Sequence, residues 1–365
     1  MVKQVLGELN NTPEYVVKLA VGLDSRVDKV LERLDIHSNG VRFLGIHGTP
    51  GIGKTTLAKA LFNKLAVSFK NRCFVSNVRE SLASEDGLLK ILNKLITDLS
   101  LENVHPVKEE DAGKRAIKEI ISEKRVLIML DDVSEADQLK SLGVDERGQF
   151  EEGGRIVVTS RNIRALIHFA HEDELYEAEK LDDSESLELF SIHALGRKEP
   201  VKEYRNISEQ IVSLTDGLPL ALEVFGSYLV KKTKREWEDS LEKLRHIRPS
   251  NLQDVLKLSY DGLDEQEKII FLDISCLLLQ ASMTREELVD VIEACGLNAE
   301  IAIGNLVTKS LLKIREDNSL WMHDQIRDMG RQIVMEKSLD DQGKRSRLWD
   351  FCDILSVLRQ AKVFS

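Results

Sequence analysis

The sequence predicts a doubly wound parallel α/β sheet, followed by a small helical domain and a winged-helix domain. Three observations predict it. Short β-branched apolar runs alternate with helical stretches through the first half of the chain; the strand signal fades after Leu181; and two late apolar segments flank the polar turn "REDNS". Alternation of strands and helices implies a parallel sheet wound on both faces, and helices that end in a hairpin imply a wing. A chain of 365 residues has room for two or three such domains.

The elements follow in order. Residues 1–20 read as a linker, with a helical lead-in at "VKQVLGEL" and a turn at Asn10–Pro13. The α/β domain is expected over 21–180. Its strands are Val41–His47, Cys73–Val78, Val126–Leu130 and Ile156–Thr159, each apolar enough for burial on both faces, with "ELYEAE" around Tyr176 as a candidate fifth. Helices are expected at Thr56–Val67 and Leu88–Leu99. The helical domain is expected over 181–250. There "DDSESLELFSIHAL" opens with capping residues and repeats apolar positions at Leu187, Phe190 and Ala194; Ile207, Ile211 and Leu214 continue the pattern. Gly217 suits a helix stop and Pro219 the first turn of the next helix, whose Leu220, Ala221, Val224, Phe225, Tyr228 and Leu229 predict broad burial. Three helices and the hairpin "LLKIREDNSLWMHD" make up the winged-helix domain, residues 251–337. The tail 338–365, with Trp349, reads either as a bridge to further domains or as a packed helix.

Composition narrows the function. An apolar content of 42% and a charged content of 31% fit packed cores. No apolar run approaches the length of a membrane span, and the N-terminus lacks the apolar core of a secretory signal. Cys73, Cys276, Cys295 and Cys352 are widely spaced and form no metal or disulfide framework, which fits a reducing compartment. A net charge of −11 argues against a dedicated nucleic-acid binder.

Three motifs carry chemistry. Gly48-Thr49-Pro50-Gly51-Ile52-Gly53-Lys54-Thr55 matches the phosphate loop G-x-x-x-x-G-K-[ST], between an apolar strand and a helix that continues at Thr56. Glycines let the backbone N–H groups curve around phosphate oxygens, and the helix adds its positive end. Lys54 supplies a compact charge for the β and γ phosphates, and Thr55 a hydroxyl for Mg²⁺. In "RVLIMLDDV" a buried strand ends in Asp131 and Asp132, at the edge where ligands of open α/β sheets gather. Asp131 is the natural Mg²⁺ partner; Asp132 could orient a water toward the γ-phosphate. In "GGRIVVTSR", Arg161 follows a strand ending near the same edge and could sense a γ-phosphate by bidentate hydrogen bonds.

These motifs in this order, making an α/β P-loop NTPase domain, resemble the NB-ARC nucleotide-binding module of plant NLR immune receptors. "VGLDSRV", "CFVSNVRE", "LDDSESLELFSIHAL", "GLPLAL", "FLDISCLLL" and "WMHD" resemble further blocks of that family, over about residues 20–340. "LDDVS" lacks the tryptophan usual in coiled-coil receptors, and with "CFVSNVRE" and "FLDISC" it is similar to the TIR class. The resemblance implies the central part of a TIR–NB-ARC–LRR receptor that binds ADP or ATP with Mg²⁺ and acts in the cytoplasm or nucleus. It implies adenine contacts from the backbone of Val21 and Gly22, and phosphate contacts from Gly48, Pro50, Gly51, Ile52, Gly53, Lys54, Thr55 and Thr56. Pro219 and Leu220 would lie against the base or ribose. His323 would bond the β-phosphate of ADP, and Asp324 would hold that arrangement. The implied partners are the chain's own TIR and LRR domains, a pathogen effector sensed mainly outside this segment, and further copies of the receptor on activation. ATP hydrolysis would be slow, and the NAD-cleaving activity of TIR domains does not carry over. Two rivals share the phosphate loop: a winged-helix ATPase acting on DNA, and a metabolic kinase. Residues 250–337 hold 9 Lys plus Arg against 16 Asp plus Glu, a poor charge balance for reading DNA, and no feature announces a kinase acceptor pocket.

Overall fold

A computed structural model of the chain describes residues 14, 21–100, 105–245, 252–281, 283–315, 317–338 and 342–359. The expected lead-in helix and the turn at Asn10–Pro13 lie outside the described residues. The chain divides into two units between Glu179 and Lys180.

In the first unit, β1 (Arg42–His47), β2 (Asn71–Val75), β3 (Val126–Val133), β4 (Arg155–Ser160) and β5 (Leu175–Glu177) form one parallel sheet in the order β2-β3-β4-β1-β5. Both faces are covered, which is why these strands read as unbroken apolar runs rather than alternating ones. Phe43, Val75, Ile128, Leu130, Ile156 and Val158 turn to one face, against the helices Gly87–Ser100 and Glu110–Glu123 through Leu92, Leu95 and Ile117. Leu44, Ile46, Phe74, Met129 and Val157 turn to the other, against Leu23–Leu34 and Lys54–Lys64 through Val30, Leu57 and Leu61. Each fully buried side chain of this size contributes about 1.5–3 kcal/mol.

Some boundaries differ from the sequence expectation. β2 ends at Val75 rather than Val78, because Asn77 takes a left-handed φ of 51° and a short helix, Val78–Ser81, starts at once. The helix expected at Thr56–Val67 starts at Lys54, since Gly53 at φ 96° caps it, and stops at Lys64. β3 runs on through both aspartates to Val133, with a register slip against β4 between Leu130 and Val133.

The second unit is helical apart from one hairpin among the described residues. Asp182 caps Asp183–Leu195 by accepting from Glu185 N at 2.8 Å. Lys202–Leu214, Pro219–Tyr228 and Lys234–Arg245 follow, with the indole of Trp237 buried edge-on against Phe190. Gly217 does more than stop a helix. Its φ is +65°, its carbonyl accepts from Leu181 N at 3.1 Å, and a Cβ there would lie 2.5 Å from the Leu181 carbonyl oxygen. Gly217→Ala is therefore expected to lower stability by about 2 kcal/mol or more, through left-handed strain plus a backbone clash. Thermal denaturation of the purified chain measures it; an unchanged midpoint would contradict this packing.

The sequence pattern predicts three helices before the hairpin; among the described residues there are four, Leu252–Asp261, Glu265–Cys276, Arg285–Ala294 and Ala299–Thr308. Asp264 and Thr284 each begin a helix with a capping box, which breaks the apolar pattern into shorter pieces than periodicity alone suggests. β6 (Lys313–Ile314) and β7 (Leu320–Trp321) pair antiparallel and lead into Asp324–Glu336. The tail includes a helix, Phe351–Arg359. Just before it, Arg347 donates to Asp273 Oδ1 at 2.6 Å and to the Ile269 carbonyl at 3.0 Å, and the Trp349 ring lies 5.7 Å from the Arg331 guanidinium. Among the described residues no helix is long and apolar enough to cross a membrane.

Candidate nucleotide-binding site

The loop after β1 needs its glycines. Gly48, Gly51 and Gly53 have φ of 148°, 81° and 96°, values that side-chain-bearing residues rarely adopt. A Cβ on Gly53 would meet no atom within 4 Å, so the loop's inner surface there faces open space. Ile52 is buried and anchors the loop, while Pro50 and Thr56 are half-buried on either side of the bend. Lys54 is only 8% exposed and folds back, donating to the Gly48 carbonyl at 2.7 Å and the Thr49 carbonyl at 3.0 Å.

Burial, and then repulsion from Arg161, lowers the Lys54 pKa from its ordinary 10.5 to about 8; Asp131 and Asp132 oppose this. Lys54 then passes from roughly nine-tenths charged at pH 7 to roughly one-tenth at pH 9. A depressed lysine pKa means that the unfolded chain binds more protons between about pH 8 and 10.5, so in that window the stability of the ligand-free chain rises with pH. Phosphate binding needs the charged form, so affinity is expected to fall above about pH 8, by at most tenfold per pH unit, with proton uptake on binding. Calorimetry in buffers of different ionisation heat measures that uptake; affinity independent of pH from 7 to 9.5 would rule out this role for the lysine.

Thr55, the next residue of the helix that Lys54 begins, meets the end of β3, which carries both aspartates. Thr55 Oγ1 lies 3.0 Å from both carboxylate oxygens of Asp131. Thr159 Oγ1 donates to Asp131 Oδ1 at 2.6 Å and accepts from Asp132 N at 2.9 Å, so β4 fixes the orientation of both acids. Asp131 is almost wholly buried, and Asp132 sits in the register slip with a left-handed φ of 58°. Arg161, at the end of β4, places Nε 3.1 Å from Asp132 Oδ1; Arg79, from the short helix after β2, donates Nε to Asp132 Oδ2 at 2.9 Å.

Among the described residues no group of three or more His, Cys, Asp or Glu could hold a metal ion alone. The hydroxyl of Thr55 and the carboxylate of Asp131 are nevertheless the hard-oxygen pair that suits Mg²⁺ when phosphate and water supply its other ligands. The residues present thus fit a magnesium-bound nucleotide.

The remaining expected positions fall into two places. In the first unit, Val21 and Gly22 precede the helix Leu23–Leu34; Gly22 has φ 67° and its carbonyl accepts from Arg26 Nη1 at 2.7 Å. In the second unit, Leu220 and His323 line one small cavity with Trp321 and Ile326, and Pro219 begins the helix that carries Leu220. His323 Nδ1 accepts from Gln325 N at 3.1 Å, so in the neutral ring it is Nε2 that carries the proton. Sequence reasoning assigned no role to Arg79 or Thr159. Both stood in motifs already noticed, but only the β2-β3-β4 adjacency brings them to the aspartates.

Comparison with known proteins agrees with this geometry. Residues 23–199 match the NB-ARC domain model, and residues 264–338 match the winged-helix domain of Roq1-like disease resistance proteins. The chain belongs to the NB-ARC family. This NB-ARC chain is 40% identical to "Disease resistance protein RUN1" of Vitis rotundifolia over 94% of its own length and 25% of the relative's. It is 35% identical to "TMV resistance protein N" of Nicotiana glutinosa over 96% of its own length and 30% of the relative's. The chain thus spans about a quarter to a third of these relatives. Its fold is also that of a Signal Transduction ATPase with Numerous Domains (STAND) protein with a tetratricopeptide repeat sensor from Pyrococcus horikoshii, at TM-score 0.53 and 17% identity, covering 96% of this chain and 47% of that one. An NB-ARC domain with this loop is a nucleotide-binding domain.

Proposed function

We propose that the chain is the nucleotide-gated switch of an intracellular plant immune receptor. The observation that carries this reading is the convergence of Lys54, Thr55, Asp131, Asp132 and Arg161 at the carboxyl edge of β1, β3 and β4. Gly48–Thr56 hold the phosphates of ADP or ATP, and Thr55 and Asp131 hold Mg²⁺. Val21 and Gly22 meet the adenine, and Pro219 and Leu220 lie against the base or ribose. Arg161 responds to the γ-phosphate. A bound Mg²⁺ would neutralise phosphate charge and polarise the terminal P–O bonds; Asp132 would orient the attacking water in a slow hydrolysis that resets the switch.

In this reading residues 21–180, 181–250 and 251–337 act as three modules, and His323 Nε2 donates to the β-phosphate of ADP. The diphosphate state is closed and monomeric; the triphosphate state opens and self-assembles, gathering TIR domains outside this chain. A ligand shifts such an equilibrium only by its differential affinity, and reversing a 99:1 preference takes about 5.5 kcal/mol. One phosphate contact supplies less than that, so an LRR sensor engaging a pathogen effector shares the work. The cytoplasm or nucleus is the place of action. The test is to denature purified protein, identify any nucleotide released, and measure melting point and hydrodynamic size with ADP and ATP. Release of ADP and a size change with ATP are expected; a nucleotide-free sample indifferent to both ends this reading.

A further inference from the structure

Asp132 holds two guanidinium groups, one on each carboxylate oxygen. Arg161 Nε sits 3.1 Å from Oδ1, and Arg79 Nε donates to Oδ2 at 2.9 Å. The acid itself cannot swing: its backbone is left-handed at φ 58°, its N–H is bonded to Thr159 Oγ1, and its side chain is only 11% exposed. Arg79 is brought there by a second left-handed residue, Asn77, which turns the chain sharply after β2 and sets the Val78–Ser81 helix beside β3. Two strained non-glycine positions thus serve one contact. Such strain persists only where the surroundings over-determine it.

From this geometry we propose that Arg79 is a positioning residue that sets how readily Arg161 leaves Asp132 for a γ-phosphate. A mostly buried carboxylate must keep a cation close. With Arg79 on Oδ2, Asp132 stays neutralised when Arg161 departs, so departure is cheap. Without Arg79, Asp132 holds Arg161 more tightly, and the triphosphate must compete with that hold. Arg79 therefore tunes the choice between ATP and ADP without touching either. The inference rests on the nucleotide-switch reading above, in which Arg161 is the γ-phosphate sensor.

The experiment measures ADP and ATP affinity of the whole chain by competition with a fluorescent nucleotide, alongside the melting point of the ligand-free protein. Arg79→Gln is expected to weaken ATP by roughly threefold to tenfold with ADP unchanged, the size usual for coupling between contacting charged residues. Arg79→Lys should recover part of the loss. In an Arg161→Ala background, Arg79→Gln should have no further effect on ATP. Equal loss of both nucleotides with a lowered melting point would make Arg79 merely structural. Loss of ATP that persists in the Arg161→Ala background would make Arg79 a phosphate ligand instead. Unchanged discrimination in a wild-type protein that binds both nucleotides overturns this inference alone; a wild type that binds neither removes the switch reading as well.

Discussion

Lys54→Ala is expected to purify without nucleotide and to bind ADP or ATP on the order of 100-fold more weakly, since a charge-assisted hydrogen bond to phosphate is worth about 1.5–3 kcal/mol. The fold should survive. Lys54 is buried with its pKa held down to about 8, so its charge is costly to keep in the ligand-free protein, and the two carbonyls it bonds belong to a half-buried residue, Gly48, and an exposed one, Thr49. Loss of nucleotide with a nearly unchanged melting point is therefore the signature of a phosphate-binding lysine. A full-length receptor carrying the change should fail to signal. Bound ADP recovered from the purified variant would contradict the assignment.

Asp324→Val is expected to act in the opposite sense and to make a full-length receptor active without its trigger. Asp324 begins the helix Asp324–Glu336, and its Oδ1 accepts from Arg327 Nη2 at 3.1 Å, with both side chains mostly buried. An acid in the first turn suits the positive end of a helix, and removing one member of a mostly buried ion pair costs about 3 kcal/mol. The damage falls next to His323, whose ring caps the same turn through Gln325 N. Loosening that turn moves the proposed β-phosphate donor. Basal defence signalling in plant tissue, compared at equal protein level, is the measurement; a variant that accumulates yet stays silent would weigh against a histidine clamp.

The α/β half was legible because its strands are buried on both faces, so each reads as a continuous apolar run, and because the phosphate loop requires glycines where φ is positive. Its finer geometry was not. Asp132 in a left-handed conformation and the slip between β3 and β4 depend on pairing between strands far apart in sequence, and nothing local announces them. Arg79 was hidden for the same reason: it reaches Asp132 only because β2 lies beside β3. Gly217 was read as a helix stop, whereas its contact with the Leu181 carbonyl is a tertiary demand. The fourth helix before the hairpin escaped the apolar periodicity because capping at Asp264 and Thr284 divides the pattern locally.

The attachment of Arg347 to Asp273 and to the Ile269 carbonyl bears on how the molecule can be trimmed. A recombinant fragment that stopped at residue 337, where the sequence motifs run out, would strip the helix Glu265–Cys276 of this guanidinium and uncover the Arg331 face that Trp349 shields. The natural cutting place for expression therefore lies beyond Arg359, after the last described helix, rather than at the end of the recognisable winged-helix signature.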